Sequence, residues 1–325
     1  IDESEYTLDY LIDNESTTED GFPIAIMSNI SSEKDINSAL DKKCNGIGLF
    51  STEYLFVGRE ELPTEYEQFQ IYKDIAEKLK GKPVIIKTLD INVDTNIPYI
   101  SMPDEKDPVL GSRSIRLCMN LIDILKGQLR AILRASSYGE IKVLFPMISS
   151  YEELVEIKCI LRDVQDELNS KNIPFNENIE LGIIIEVPSA ALISDILAKE
   201  VDFFSIGSND LMQYMTAVDK ENGNLAKLCN QYHPGLLRLI KMVVETAHKA
   251  GIKVGVCGEM AKEENLIPIL IALGVDELTI NPCHIENTRT VITNIKKREV
   301  QQIIDKLINM PSCKAVETFL KLNFS

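Results

Sequence analysis

The chain has 325 residues, 45% of them hydrophobic and 26% charged, enough for one core of barrel size or for two ordinary domains. Its formal net charge of −16 repels nucleic acid and anionic membrane, so neither is expected as a partner, and an anionic substrate needs a local cation or a metal. Seven scattered cysteines with no C-x-x-C pair argue against a disulfide framework or a zinc site and for a reducing, cytoplasmic compartment; no stretch reads as a signal peptide or a membrane span.

Residues 1–20 are acidic and polar and read as a linker or tail, which leaves 21–325 as a single domain. From there, short apolar runs alternate with amphipathic stretches. Strands are expected at Ile24–Ile30, Gly46–Phe50, Val84–Asp90, Lys142–Ile148, Leu181–Val187, Phe203–Gly207, Lys253–Cys257 and Glu277–Ile280. Helices are expected at Glu33–Lys43, Thr64–Leu79, Leu121–Ser136, Tyr151–Leu168, Ala190–Ala198, Gly235–Ala250, Glu263–Leu273 and a broken Ile285–Ile308. Several strands are almost continuously apolar, as buried parallel strands are. Eight β-to-α alternations predict an α/β fold, a (β/α)8 TIM barrel. An open doubly wound sheet would usually use fewer strands and carry a G-x-G-x-x-G turn, which is absent. The connection 91–116 is unusually long, is rich in Pro and ends in Gly111-Ser-Arg-Ser-Ile-Arg116. Its two arginines either clamp an anion or form surface ion pairs.

A barrel places its chemistry at the C-terminal ends of its strands. Those ends carry Ser51 and Glu53, Asp90, Glu186, Asn209 with Asp210, Cys257 with Glu259, and Asn281. Glu186 interrupts a run of Ile and Val, where a lone carboxylate is costly unless it is paired or on a metal. With Asp210 on the next strand it forms an oxygen-only pair suited to Mg2+. The bland alternatives are an ion pair from Glu186 to Lys87, and Asp210 as a helix cap. Cys257 lies between glycines at a strand end, either as a proton donor or nucleophile or as a small buried apolar residue. His233, before Pro234, reads as structural or capping.

Six motifs, taken together, carry a family resemblance. They are Gly46-Ile-Gly-Leu-Phe-Ser-Thr-Glu53, Leu144-Phe-Pro-Met-Ile-Ser149, Ile185-Glu-Val-Pro-Ser-Ala-Ala191, Phe204-Ser-Ile-Gly-Ser-Asn-Asp-Leu211, His233-Pro-Gly-Leu-Leu-Arg238 and Val256-Cys-Gly-Glu-Met-Ala261. From about Gly21 onward the chain resembles the phosphoenolpyruvate-utilising enzymes, above all the C-terminal phosphoenolpyruvate-binding barrel of enzyme I of the sugar phosphotransferase system. The resemblance implies Glu186 and Asp210 as Mg2+ ligands, Asn209 and Arg113 as substrate ligands, and Cys257 as the acid that protonates the enolate of pyruvate. It also implies a homodimer through the barrel. The phosphoryl group would pass to a His on an N-terminal domain, and from there to a phosphocarrier protein.

Two substrate positions depart from the family pattern. Ser51 stands where the family has an Arg on the phosphate, and Lys220 where it has an Arg on the substrate. Losing a desolvated Arg from a phosphate costs about 2–5 kcal/mol. Two expectations follow: a Mg2+-dependent phosphoenolpyruvate–protein phosphotransferase domain, or an impaired relative that serves as a dimerising or ligand-sensing module.

Overall fold

The computed structural model describes residues 16–91, 97–100, 110–219, 225 and 228–324. Eight apolar runs form eight parallel strands, and these close into a barrel in chain order. They are β1 (Ala25–Ile30), β2 (Gly46–Ser51), β3 (Val84–Lys87), β4 (Ile141–Phe145), β5 (Leu181–Ile185), β6 (Phe203–Gly207), β7 (Lys253–Cys257) and β8 (Glu277–Ile280). The α/β barrel expected from the alternation is the observed architecture.

Helices form the outer layer. They are α1 (Glu33–Asp41), α2 (Glu65–Leu79), α3 (Ile115–Asn120), α4 (Ile122–Ala135), α5 (Tyr151–Ser170), α6 (Pro188–Leu192), α7 (Ser194–Leu197), α8 (Ser208–Thr216), α9 (Pro234–Ala250), α10 (Ile267–Leu273), α11 (Ile285–Thr293), α12 (Lys297–Ile308) and α13 (Cys313–Phe324). α2 shows why such segments are helical. Phe69, Tyr72, Ile75, Ala76 and Leu79 recur at helical spacing and are buried. Thr64 caps its start by accepting from the Glu67 N–H, while the Glu67 carboxylate accepts from the Thr64 N–H.

Some expected helices start or break elsewhere. Ala190–Ala198 divides at Ile193 into α6 and α7, and the stretch expected from Glu263 becomes helical only at Ile267. The end of the long connection is helical from Ile115, where its Pro content had suggested none. Residues 16–20 dock on the barrel: Thr17 bridges Pro23, and the Asp20 carboxylate accepts from the Lys297 and Arg298 N–H groups at the start of α12.

Apolar side chains form two clusters. One lies between sheet and helices. The other fills the lumen with Leu49, Ile85, Leu144, Ile184, Phe203 and Cys257, a packed interior rather than a pore. Strand β2 is irregular. Ser28 pairs with Ile47 but Asn29 with Leu49, so Gly48 is an extra residue, a β-bulge. A Cβ on Gly48 would lie 2.1 Å from Thr279 Oγ1 and 2.6 Å from Met27 Cβ. The bulge puts Gly48 and Leu49 both toward the lumen and restores alternation so that Ser51 faces the rim beside its register partner Lys87. Gly48→Ala is therefore expected to cost about 2–3 kcal/mol through overpacking, seen as a melting temperature several degrees lower in a thermal shift assay; Gly127→Ala on α4, where the added Cβ would meet only the Arg130 guanidinium at 3.8 Å, serves as the control and is expected not to lower the melting temperature.

Candidate active site

The rim is built from β5 and β6 outward. Glu186 follows β5 and is 3% exposed. The Met147 N–H donates to its Oε1 at 2.7 Å. Met147 has a φ of 59°, the left-handed region that non-glycine residues rarely occupy, and that turn aims its N–H at the carboxylate. Gly207 ends β6, and a Cβ there would lie 2.9 Å from Glu186 Oε2. Only a glycine lets the neighbouring strand come this close to the acid.

Burial, then the charges of Asp90 and Asp210, push Glu186 up to about 8. Among the described residues no cation lies within ion-pair distance of it. The Lys87–Glu186 pair considered from sequence does not form. Lys87 Nζ instead lies 2.6 Å from Glu53 Oε1 and 2.9 Å from Asp90 Oδ2. Burial opposes the Lys87 charge, but Asp90 and Glu53 outweigh it and hold the ammonium above its usual range. Burial likewise opposes the Asp90 charge, yet Lys87 and Arg113 hold its carboxyl down at about 2. The Ser114 hydroxyl also donates to Asp90.

Arg113 lies beside two of these acids, with Nη1 3.1 Å from Asp210 Oδ1 and Nε 3.6 Å from Asp90 Oδ1. Its Nη1 also donates to the Tyr214 hydroxyl at 3.3 Å. Arg116, the other arginine of the loop, bonds Glu153 and Ser149 at 3.0 and 2.8 Å and so belongs to the helix layer, not to an anion clamp. Four carboxylates (Glu53, Asp90, Glu186 and Asp210) and two cations (Lys87 and Arg113) give this cluster two negative charges when every acid is ionised, and one while Glu186 holds its proton.

Asp210 is not a helix cap. α8 begins at Ser208, with Gly207 as its N-cap. Ser208, Asn209 and Asp210 form its first turn. Ser208 Oγ donates to the Cys257 carbonyl at 2.9 Å, and Asn209 Oδ1 accepts from the Glu259 N–H at 3.1 Å. Gly258, at φ 99°, allows this join, since a Cβ there would sit 2.6 Å from Ser208 Oγ. The first turn of α8, with Asp210, and the end of β7, with Cys257, are thereby tied together.

Cys257 closes β7 at the top of the lumen, 6% exposed. Burial pushes its thiol up to about 11, so it holds its proton at neutral pH. That suits an acid better than a standing nucleophile. Glu259, weighed from sequence as a group near the thiol, pairs with Lys262 at 2.6 Å on the exposed loop instead. His233 caps α9 by accepting from the Gly235 N–H, as expected. His248 bonds Asp276 at 3.0 Å. Lys220 lies outside the described residues.

A cavity of about 560 Å³ opens at the opposite, N-terminal end of the strands, lined by Lys142, Phe203, Lys253 and Glu277. Lys142 is paired there with Glu180 at 2.7 Å, and none of the strand-end groups above reaches that cavity. Conservative scaffolding at one end and chemistry at the other is the division expected of this fold.

Residues 6–297 match the family described as PEP-utilising enzyme, PEP-binding domain. The chain belongs to this family. It is 43% identical over 314 residues to the phosphoenolpyruvate-protein phosphotransferase of Priestia megaterium, covering 97% of this chain and 55% of that protein. It is 40% identical over 309 residues to the protein of the same name from Staphylococcus carnosus (strain TM300), covering 95% and 54%. The chain thus spans about half the length of these curated relatives. A citrate lyase from Burkholderia xenovorans LB400 shares the fold, with a TM-score of 0.55 at 13% identity, over 92% of this chain and 89% of that one. Among the described residues no helix is long and apolar enough to cross a membrane.

The rim also fits the Mg2+ that the family resemblance implies. Two carboxylates from adjacent strands offer only oxygen donors, which suits a hard cation that keeps positions for substrate oxygens. Glu186 is a buried acid without a cationic partner among the described residues, the situation a dication relieves. No cage of three or more His, Cys, Asp or Glu is present among the described residues, so the protein would supply the minimum set. Asp90 was placed at a strand end from sequence, whereas Lys87, weighed only as an ion-pair partner for Glu186, is the rim group whose central place the sequence did not reveal. The only signal was a lysine ending an apolar strand.

Proposed function

We propose that the chain is the phosphoenolpyruvate-binding barrel of a phosphoenolpyruvate–protein phosphotransferase of the enzyme I type. The observation that carries this is the convergence of Glu186 and Asp210 with Arg113 at the strand ends next to a protonated, buried Cys257. When bound, Mg2+ supplies charge to the substrate's oxygens. The chain's own residues do the rest. Glu186 and Asp210 hold the ion. Arg113 and Lys87 provide the fixed positive charge nearest the phosphoryl group, and Asn209 orients the substrate from the first turn of α8. Cys257 delivers its proton to the methylene carbon once the phosphoryl group has left. The phosphoryl acceptor in this reading is a His on an N-terminal domain, which passes the group to a phosphocarrier protein. The setting is the cytoplasm, with the barrel as a homodimer. Leu192 and Ile196, 66% and 44% exposed, are apolar side chains of the kind such a contact covers.

A second reading, an impaired relative that has lost productive phosphoenolpyruvate binding, is favoured by Ser51 and by the charge of the rim. Phosphoenolpyruvate carries about three negative charges near neutral pH, and a rim of net negative charge repels it unless a metal is bound. Calorimetry decides between them. Titrated with phosphoenolpyruvate, the chain is expected to give heat with Mg2+ and none without it. Ser51→Arg, whose side chain would enter the rim beside Lys87, is expected to tighten binding by roughly thirtyfold or more. A chain that shows no heat with Mg2+ until Ser51→Arg is introduced is the impaired relative.

A further inference from the structure

A hydroxyl bonded to the thiol lies beneath it in the lumen. Ser205, in the middle of β6, is 4% exposed. Its Oγ donates to Cys257 Sγ at 3.6 Å, and among the described residues this is its one hydrogen bond. The thiol in turn donates to the Ile206 carbonyl at 3.5 Å. The register explains the contact. Ser205 pairs with Gly255 and Gly207 with Cys257, so Ser205 sits one inward step below the sulfur on the neighbouring strand, facing a glycine that leaves room for it. The lumen around the pair is Leu49, Ile85, Leu144, Ile184 and Phe203. Packing alone is served there by Ala, and a buried hydroxyl in such surroundings is costly unless it is bonded.

The two contacts on the sulfur have opposite preferences. The Ile206 carbonyl can only accept, so it favours S–H. The Ser205 hydroxyl donates, so it favours the thiolate. The charged groups that act on the sulfur are Glu186 after β5 and Asp210 on α8, which oppose the thiolate, and Lys87 on β3, which favours it. Ser205 is thus the hydrogen-bond donor in contact with the sulfur.

We propose that Ser205 is the positioning residue of the proton transfer, holding the sulfur in place and stabilising the negative charge left on it. This rests on Cys257 being the donor to the enolate of pyruvate. In that step the S–H bond breaks and its electron pair stays on sulfur. The π pair of the enolate forms the new C–H bond at the methylene carbon, and the enolate oxygen becomes the ketone oxygen of pyruvate. The Ser205 O–H then points at a full negative charge instead of a lone pair, so its bond strengthens as the proton leaves.

The reverse half of the reaction tests this on the chain as it stands. With Mg2+ and pyruvate in D2O, deuteration of the pyruvate methyl group is followed by NMR as a function of pH. The thiolate is the base in this direction, so the rate rises with its population. Ser205→Ala is expected to move the midpoint of the rise upward by about one pH unit, roughly tenfold slower exchange on the rising limb. Ser205→Thr and Ser205→Val have the same shape and differ in the hydroxyl; Thr is expected to keep the wild-type midpoint and Val to shift it. A readout without substrate or metal is the pH dependence of Cys257 modification by methyl methanethiosulfonate, measured on the Cys257 peptide by mass spectrometry, which is expected to shift the same way. Exchange that is lost in Cys257→Ala but has a wild-type midpoint in Ser205→Ala and Ser205→Val overturns the proposal alone. Exchange that persists in Cys257→Ala overturns the donor reading and the proposal with it.

Discussion

Glu186→Gln and Asp210→Asn, each removing one negative charge at nearly constant shape, are expected to eliminate the Mg2+-dependent heat of phosphoenolpyruvate binding. The loss follows from a site with only two protein carboxylates for the ion. Deleting one charge of a desolvated pair costs about 2–5 kcal/mol, roughly thirty- to several-thousand-fold in affinity. Glu259→Gln, on the exposed loop with its Lys262 partner, is expected to bind as wild type. Retained Mg2+-dependent binding in both Glu186→Gln and Asp210→Asn would falsify the metal assignment.

Glu186 also makes the metal-free protein sensitive to pH. Its folded-state pKa of about 8 stands above the unfolded 4.5, so between these values the folded chain holds a proton that the unfolded chain has lost. Stability is then greatest below the lower value and falls as pH rises through the window, by at most about 1.4 kcal/mol per unit. Urea unfolding in the presence of a chelator, at pH 5 and pH 8, is expected to show that fall in wild type and a flatter response in Glu186→Gln. An equal fall in both proteins would place the titrating group elsewhere.

Cys257→Ala is the second large effect. General acid catalysis contributes about a hundred- to ten-thousand-fold, and pyruvate methyl exchange is expected to drop by that range. Mg2+ binding should not change, because the thiol contacts Ser205 and the Ile206 carbonyl rather than the carboxylates. Cys118, buried and bonded to the Leu89 carbonyl, supplies the control: Cys118→Ala is expected to exchange at the wild-type rate.

Much of the fold was legible because parallel barrel strands are buried on both faces and so appear as apolar runs. Phe203–Gly207, Lys253–Cys257 and Glu277–Ile280 begin and end where the runs do. Strand ends such as Val84–Asp90 were drawn too long, since apolar residues continue beyond the ladder: Leu89 is buried after β3 stops at Lys87. Asp210 was weighed as a helix cap because Asp is a common one, whereas here Gly207 is the N-cap of α8. Which arginine serves the rim was not legible from spacing. Arg113 and Arg116 are three apart on one loop, and only their partners, Asp210 for one and Glu153 for the other, tell them apart. Lys87 was weighed as a partner for Glu186 inside the barrel, but it ends β3, two strands from β5. Glu53 and Asp90 outcompete Glu186 for it, and that follows from the three-dimensional arrangement of the loops after β2 and β3.

The bulge at Gly48 sets the phase of β2. Upstream of it Ile47 faces the helices, and downstream Leu49 and Ser51 face the lumen while Phe50 and Thr52 do not. Taking Gly48 into regular pairing, with the bulge lost but the chain length kept, would exchange the downstream sets without altering any other strand. Ser51 would turn away from Lys87, and Thr52, which donates to the Lys87 carbonyl at 3.0 Å, would swing into the rim. A one-residue register slip in this strand is thus a change of active-site composition, and any graft or loop exchange upstream of position 51 must keep Gly48 out of the ladder for the rim to present the same groups.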